Sequence, residues 1–304
     1  MVDMKVNIAG VEWNNPVCVA SGTFGFGREY GEYFDLNELG AISVKGLTLK
    51  EREGNPAPRI AQTPAGILNS VGLQNPGVEN FIRFELGELK KYSAKIIANM
   101  AGNTIEDYCE MARILSDSDV DMLEMNISCP NVKEGGVAFG TNADTIEKIT
   151  SEVKKCAKKP LIVKLSPNVT DIVAMAKAAE RGGADALSLI NTLLGMKIDI
   201  HTKRPVLYNN VGGLSGPAVM PVAVRMVWQV MQAVKLPIIG MGGIMSGDDA
   251  AEFMLAGADA VAVGTGLFKN PTLPLDVKHG IASYAEQNGY ASVREITGKV
   301  MVNG

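Results

Sequence analysis

Eight short apolar runs recur along the 304-residue chain: VCVASG (17–22), AISVKG (41–46), KIIANM (95–100), MLEMNIS (122–128), LIVKLS (161–166), ALSLINT (186–192), PIIGMGG (237–243) and AVAVGTG (260–266). Their apolarity is continuous rather than alternating, the pattern of parallel strands covered on both faces. Between most of them, apolar residues return at helical spacing, as in 104–118, 143–159 and 169–183, and SGDDAAEF (246–253) reads as a helix start. Strand–helix alternation without a break in composition predicts one α/β unit over 1–304. Eight units fit a closed (β/α)8 TIM barrel, which takes ~250 residues plus insertions. The main rival, a doubly wound open sheet, uses fewer strands.

The runs start 24, 54, 27, 39, 25, 51 and 23 residues apart. The two longest intervals follow the second and sixth runs. They hold NPAPR (55–59) with NSVGLQNPG (69–77), and RPVLYNNVGGLSGPA (204–218). Extra chain after a barrel strand belongs to the βα loops over the C-terminal face, where ligands bind. Their wealth of Pro, Gly and Asn reads as ligand-covering structure, not linkers.

Polar residues gather at one end of the runs. Ser21, Lys45, Asn99, Asn126, Lys164, Asn191 and Thr192 stand at or near C-terminal ends, and barrel strand ends converge on one site. Any single one reads equally well as a cap or turn residue; seven at the same end do not. Lys164 within LIVKLS and Lys45 within ISVKG are costly in buried strands unless paired or used in chemistry. With no carboxylate near them in sequence, they imply an anionic ligand or a Schiff-base nucleophile. The glycines of GMGGI (240–244) and GTG (264–266) close runs seven and eight, the usual phosphate site of such a barrel.

Composition narrows the classes. Lys+Arg 29 against Asp+Glu 33 gives −4 with no long run of either sign, which argues against a nucleic-acid or anionic-membrane binder. No apolar stretch reaches the ~18 residues of a membrane span, and MVDMKVNIAG lacks a signal-peptide core, so a soluble, cytoplasmic protein is expected. The cysteines at 18, 109, 129 and 156 form no C-x-x-C pair, which excludes a self-contained iron–sulfur or zinc site. With His201 and His279 as the only histidines, H-E-x-x-H chemistry and a His-based triad have little to work with. GFGREYG (25–31) fails the dinucleotide fingerprint because Tyr30 stands where the third glycine belongs, and there is no Walker A sequence. Cys18, Cys109 and Cys156 read as small hydrophobes. Cys129 lies on the polar segment NISCPNVKEGGVAFGT (126–141), where a thiolate could act as general base; an inert thiol is the equal alternative.

Taken in order, SGTFGFG (21–27), SVKGLT (43–48), GILNSVGLQNPG (66–77), NISCPNV (126–132), VKLSPN (163–168), INT (190–192), GGLSGPA (212–218), GMGGI and VGTGLF (263–268) closely resemble dihydroorotate dehydrogenase across nearly the whole chain. The cysteine of NISCPN is similar to the soluble class 1 enzymes; the membrane-associated class carries serine. The continuation CPNVKEGGVAFGT resembles the NAD-linked class 1B catalytic subunit rather than the fumarate-linked class 1A homodimer. The resemblance implies FMN in the barrel mouth and oxidation of dihydroorotate to orotate in pyrimidine synthesis. By the same resemblance Cys129 removes the substrate's C5 proton while hydride leaves C6 for the flavin. Lys45, Asn69, Ser70, Val71, Gly72, Leu73, Asn126, Asn191 and Thr192 would hold the substrate. Ser21, Lys45, Gly46, Asn99, Asn126, Lys164, Ile190, Gly216, Gly242, Gly243, Gly264 and Thr265 would hold FMN. Class 1B further implies a partner subunit with FAD and a [2Fe–2S] cluster, around a homodimeric core within a heterotetramer. Two other readings of the residues are a Schiff-base aldolase using Lys164 and a non-catalytic barrel binding a phospho-ligand.

Overall fold

The computed structural model describes residues 2–127, 133–134 and 137–303. Eight parallel strands close into a barrel in sequence order. They are β1 (Val17–Val19), β2 (Ala41–Ser43), β3 (Lys95–Met100), β4 (Met122–Asn126), β5 (Leu161–Lys164), β6 (Ala186–Leu189), β7 (Ile238–Met241) and β8 (Ala260–Val263). All eight apolar runs are therefore strands of one sheet. All but the third run, which ends with β3, continue two or three residues past their strands, toward the C-terminal mouth.

A repeated device closes the opposite end. Asp121, Asp185 and Asp259 immediately precede β4, β6 and β8, and each grips one residue of the previous strand twice. Their backbone N–H groups donate to the carbonyls of Ile96, Leu161 and Ile238 at 2.8–2.9 Å. Their carboxylates accept from the backbone N–H of the same three residues at 2.7–2.8 Å. Before β2 the equivalent position is Gly40, whose N–H donates to the Val17 carbonyl. Here Asn15 supplies the missing acceptor, its Oδ1 taking the Val17 N–H at 3.0 Å. A side chain at Gly40 has no room, because its Cβ would lie 1.9 Å from the Asn15 carbonyl oxygen. Gly40→Ala is expected to cost about 1–3 kcal/mol or more, read as a melting temperature lower by a few degrees, roughly 2–4 °C per kcal/mol at most for a chain of this size.

Among the described residues, six helices of ten or more residues pack outside: α1 (Ile105–Ser116), α2 (Ala143–Cys156), α3 (Ile172–Arg181), α4 (Met220–Met231), α5 (Gly247–Ala256) and α6 (Leu273–Gln287). Their starts follow from side-chain caps. Thr104 and Asp107 form a capping box on α1, while Asn142, Asp171 and Ser246 accept first-turn N–H groups of α2, α3 and α5. No long helix follows β1; the chain makes 3-10 turns at Tyr30–Glu32 and Leu36–Glu38 instead. No helix among the described residues is long and apolar enough to cross a membrane.

The two long insertions meet each other. Ile60–Thr63 and Gly66–Asn69, from the chain after β2, join Leu193–Met196 and Val211–Ser215, from the chain after β6, in one antiparallel four-stranded sheet. The central pairing sets Gly213 opposite Asn69 and Ser215 opposite Ile67. What reads as two Gly- and Pro-rich loops is thus a single lid over the C-terminal mouth.

Candidate active site at the barrel mouth

Five of the barrel strands send polar side chains inward to one cluster. Glu124 on β4 accepts from Ser43 Oγ of β2 at 2.9 Å and Asn99 Nδ2 of β3 at 2.5 Å, both at Oε2, and from Ser188 Oγ of β6 at 2.7 Å at Oε1. Lys164 Nζ of β5 stands 3.9 Å from Oε2. Side chains from strands this far round the sheet can meet only inside the barrel. Glu124 is 2% exposed and Lys164 5%. Burial pushes the Glu124 carboxyl up, but the Lys164 charge and the hydrogen bonds from Ser188, Asn99 and Ser43 outweigh it and hold the group below the ordinary carboxylate value. Lys164 therefore has a carboxylate after all. The partner comes from the adjacent strand, forty residues away in sequence, and an anionic ligand is not required to explain the lysine.

Above this cluster, Asn126 stands level with Lys164 in the β4–β5 register. Its Oδ1 accepts from Asn191 Nδ2 at 3.2 Å, and Tyr108 Oη donates to its carbonyl at 2.7 Å. Asn191 in turn accepts the Thr192 N–H at 2.7 Å. Asn168 binds Thr192 and Leu194 through their backbones, at 2.9 and 2.8 Å, and so ties the end of β5 to the lid sheet. Asn69 Nδ2 donates to the Gly213 carbonyl at 3.4 Å, and a Cβ on Gly213 would sit 2.1 Å from Thr192 Oγ1. The 69–73 segment is fixed from outside: Ser70 N–H donates to Arg59 O, and Val71 O accepts from Asn55 N–H. Leu73 Cδ2 approaches to 3.5 Å of where a Cβ of Gly46 would be. Lys45 lies two residues beyond β2, half-buried, with no ion-pair partner among the described residues; burial lowers its ammonium below the usual lysine value.

A third group forms where β7 and β8 end. Gly243 has φ +90, and a Cβ there would lie 2.8 Å from the Gly216 carbonyl and 2.7 Å from Met220 Cβ, so only glycine fits. Gly216 in turn faces Thr265, whose Oγ1 donates to Ser215 Oγ at 2.7 Å. Gly242 backs onto Ile190, and Gly264 onto Ala20, next to half-buried Ser21. Three backbone turns without side chains thus meet at one corner, a shape suited to a phosphate. Among the described residues, two buried polar atoms of these segments have no partner: Asn99 Oδ1 and Ser70 Oγ. Cys129 lies outside the described residues.

The dihydroorotate dehydrogenase profile matches residues 3–284. The catalytic subunit of dihydroorotate dehydrogenase B (NAD(+)) from Alkaliphilus metalliredigens is 63% identical over 299 residues, 98% of this chain and 99% of that protein. Its counterpart from Alkaliphilus oremlandii is 60% identical over 298 residues, 98% of this chain and 99% of that one. The subunit of the same name from Thermoanaerobacter sp. X514 is 56% identical over 302 residues, 99% and 100% of the two chains. This chain belongs to the dihydroorotate dehydrogenase family.

Most of the described residues singled out from sequence fall into three groups around one mouth. Sequence reasoning passed over Glu124, Ser43, Ser188 and Asn168. Glu124 carries the same signal as Lys164, a charge inside an apolar run, but MLEMNIS reads as a strand on its other residues. Ser43 and Ser188 were inseparable from ordinary strand serines without their shared partner.

Proposed function

We propose that the chain oxidises (S)-dihydroorotate to orotate for pyrimidine (UMP) biosynthesis, with FMN in the barrel mouth and NAD+ as the final acceptor. The observation that carries this reading is the pair of buried, unpartnered atoms at the mouth. Buried polar atoms are nearly always hydrogen-bonded; Asn99 Oδ1 lies near the end of β3 beside Gly46, and Ser70 Oγ follows the lid strand Gly66–Asn69, both without a partner among the described residues. The residues fit FMN in three respects. Asn99 Oδ1 offers an acceptor, Gly46 leaves open the space beside it, and the Gly216–Gly243–Thr265 corner suits a terminal phosphate. The names carried by the relatives agree with the reading.

Ser21, Lys45, Gly46, Asn99, Asn126, Lys164 and Ile190 would hold the ring and ribityl chain. Gly216, Gly242, Gly243, Gly264 and Thr265 would hold the phosphate. Bound FMN supplies a two-electron acceptor for the substrate hydride. Lys45, as the ammonium without a carboxylate, is the counter-charge for the substrate carboxylate. Asn126, Asn191 and Thr192 form a hydrogen-bonded row that orients the substrate ring, with Asn69, Ser70, Val71, Gly72 and Leu73 closing over it under the lid sheet. That sheet keeps bulk water from the reacting atoms. Cys129 takes the C5 proton. Electrons leave through a partner subunit carrying FAD and a [2Fe–2S] cluster, in an assembly built on a homodimer of this chain. The four cysteines here, at 18, 109, 129 and 156, are too scattered to ligate such a cluster themselves.

The purified chain is expected to be yellow, with flavin absorption near 450 nm that dihydroorotate bleaches. A colourless protein that takes up no added FMN would end the flavin reading and return the aldolase and the silent barrel to contention. The same preparation should reduce NAD+ poorly alone and efficiently once the FAD and iron–sulfur subunit is added. Rapid NAD+ reduction by the chain alone would remove the need for a partner; brisk fumarate reduction would favour class 1A.

A further inference from the structure

Glu124 draws four side chains together in the barrel interior. It meets Ser43, Asn99, Ser188 and Lys164 from four different strands. Purely to fill this space, an apolar residue would do as well, since a buried ion pair is seldom more stable than a packed hydrophobic replacement. The geometry gives the carboxylate two more specific effects. A carboxylate only accepts hydrogen bonds, so the Asn99 amide must turn its NH2 toward Glu124. The carbonyl Oδ1 is then forced to the opposite side, where it is buried, unpartnered, and 2.9 Å from the place a Cβ on Gly46 would take. The same carboxylate lies 3.9 Å from Lys164 Nζ and offsets part of its charge within a dry interior, where charge interactions are strong.

We propose that Glu124 is a positioning residue for the flavin: it turns the Asn99 carbonyl toward the ligand and sets how much of the Lys164 charge the flavin ring experiences. This rests on the flavin reading above. Glu124 makes no contact with the ligand itself; it acts through the two residues it holds.

Two variants separate the effects. Glu124→Gln keeps length but removes the negative charge and exchanges one acceptor oxygen for an NH2. With its remaining oxygen toward Asn99 and Ser43, the NH2 faces Ser188, whose hydroxyl can accept. More of the Lys164 charge then reaches the flavin, and the anionic reduced form gains. The midpoint potential of bound FMN is expected to rise, with affinity changed much less. Glu124→Asp keeps the charge but is one methylene short of its partners. Loss of the Asn99 contact is expected to weaken FMN binding about tenfold, with the potential staying closer to wild type. Apo-protein titrated with FMN gives the affinity, dye-coupled reduction gives the potential, and circular dichroism checks the fold. If both variants change only the melting temperature, with wild-type affinity and potential, Glu124 is structural and the proposal is overturned. If Glu124→Gln does not fold, Glu124→Asp decides alone, and wild-type FMN affinity in it overturns the proposal. A wild-type chain that binds no FMN would instead show that the flavin reading has failed, and this inference with it.

Discussion

Lys164→Ala is expected to lose flavin readily and to be destabilised by about 3–5 kcal/mol at neutral pH. The substitution removes the ammonium 3.9 Å from Glu124 Oε2 and leaves a 2%-exposed carboxylate without its counter-charge. The pH dependence identifies the cause. In the wild type the Glu124 carboxyl titrates below its ordinary value. Its contribution to stability is therefore present above the unfolded carboxyl value, about 4.3, and is lost only as pH falls through the lower folded value. Without Lys164, burial is opposed by the three hydrogen bonds alone and the carboxyl titrates higher. Protonation then relieves the unpaired charge, so the variant's deficit should be smaller near pH 5 and grow toward pH 8. Melting temperatures of both proteins across that range check this; a deficit independent of pH would mean that lost packing, not an orphaned charge, is responsible. Lys45→Ala makes the contrast. Lys45 has no such partner among the described residues, so its loss should spare FMN retention and chiefly harm turnover, and equal flavin loss in the two variants would contradict that division.

The barrel is legible in the sequence because each of its strands is buried on both faces, so every run is continuously apolar and stands out singly. The lid sheet is not legible in the same way. Its strands are four or five residues long, and Gly66–Asn69 and Val211–Ser215 are glycine-bearing and half-exposed. Nothing local announces that segments some 145 residues apart will pair, and the two insertions therefore read as loops. The same contrast governs the site. Lys164 is visible as a charge in an apolar run, but its meaning changes once Glu124 is beside it. That pairing is a property of the sheet register, which no spacing along the chain encodes. The glycines of GMGGI read as a phosphate loop; the structure gives Gly243 a steric reason of its own, since it cannot carry a side chain against Gly216 and Met220.

Cys129→Ser is expected to slow flavin bleaching by dihydroorotate at pH 7 by about 100-fold or more, the usual range for losing a general base, while FMN and orotate still bind. An ordinary thiol titrates near pH 8.5 and is easily shifted to serve near neutrality, whereas a hydroxyl stays protonated far above it. Two other thiols, Cys18 and Cys109, offer no substitute. Burial pushes Cys18 up to about 12, with the Glu124 charge adding to the effect. Burial, and then the neighbouring Cys156, push Cys109 to about 12 as well. Both stay protonated at working pH. If position 129 takes the proton, the serine variant should recover steadily as pH rises, because a growing fraction of its hydroxyl, or of hydroxide admitted in its place, can accept it. Cys18→Ser and Cys109→Ser should bleach at the wild-type rate. Stopped-flow traces of FMN reduction from pH 6 to 10 distinguish these cases. An unchanged rate for Cys129→Ser at pH 7 would assign the proton to another group and leave Cys129 an inert thiol.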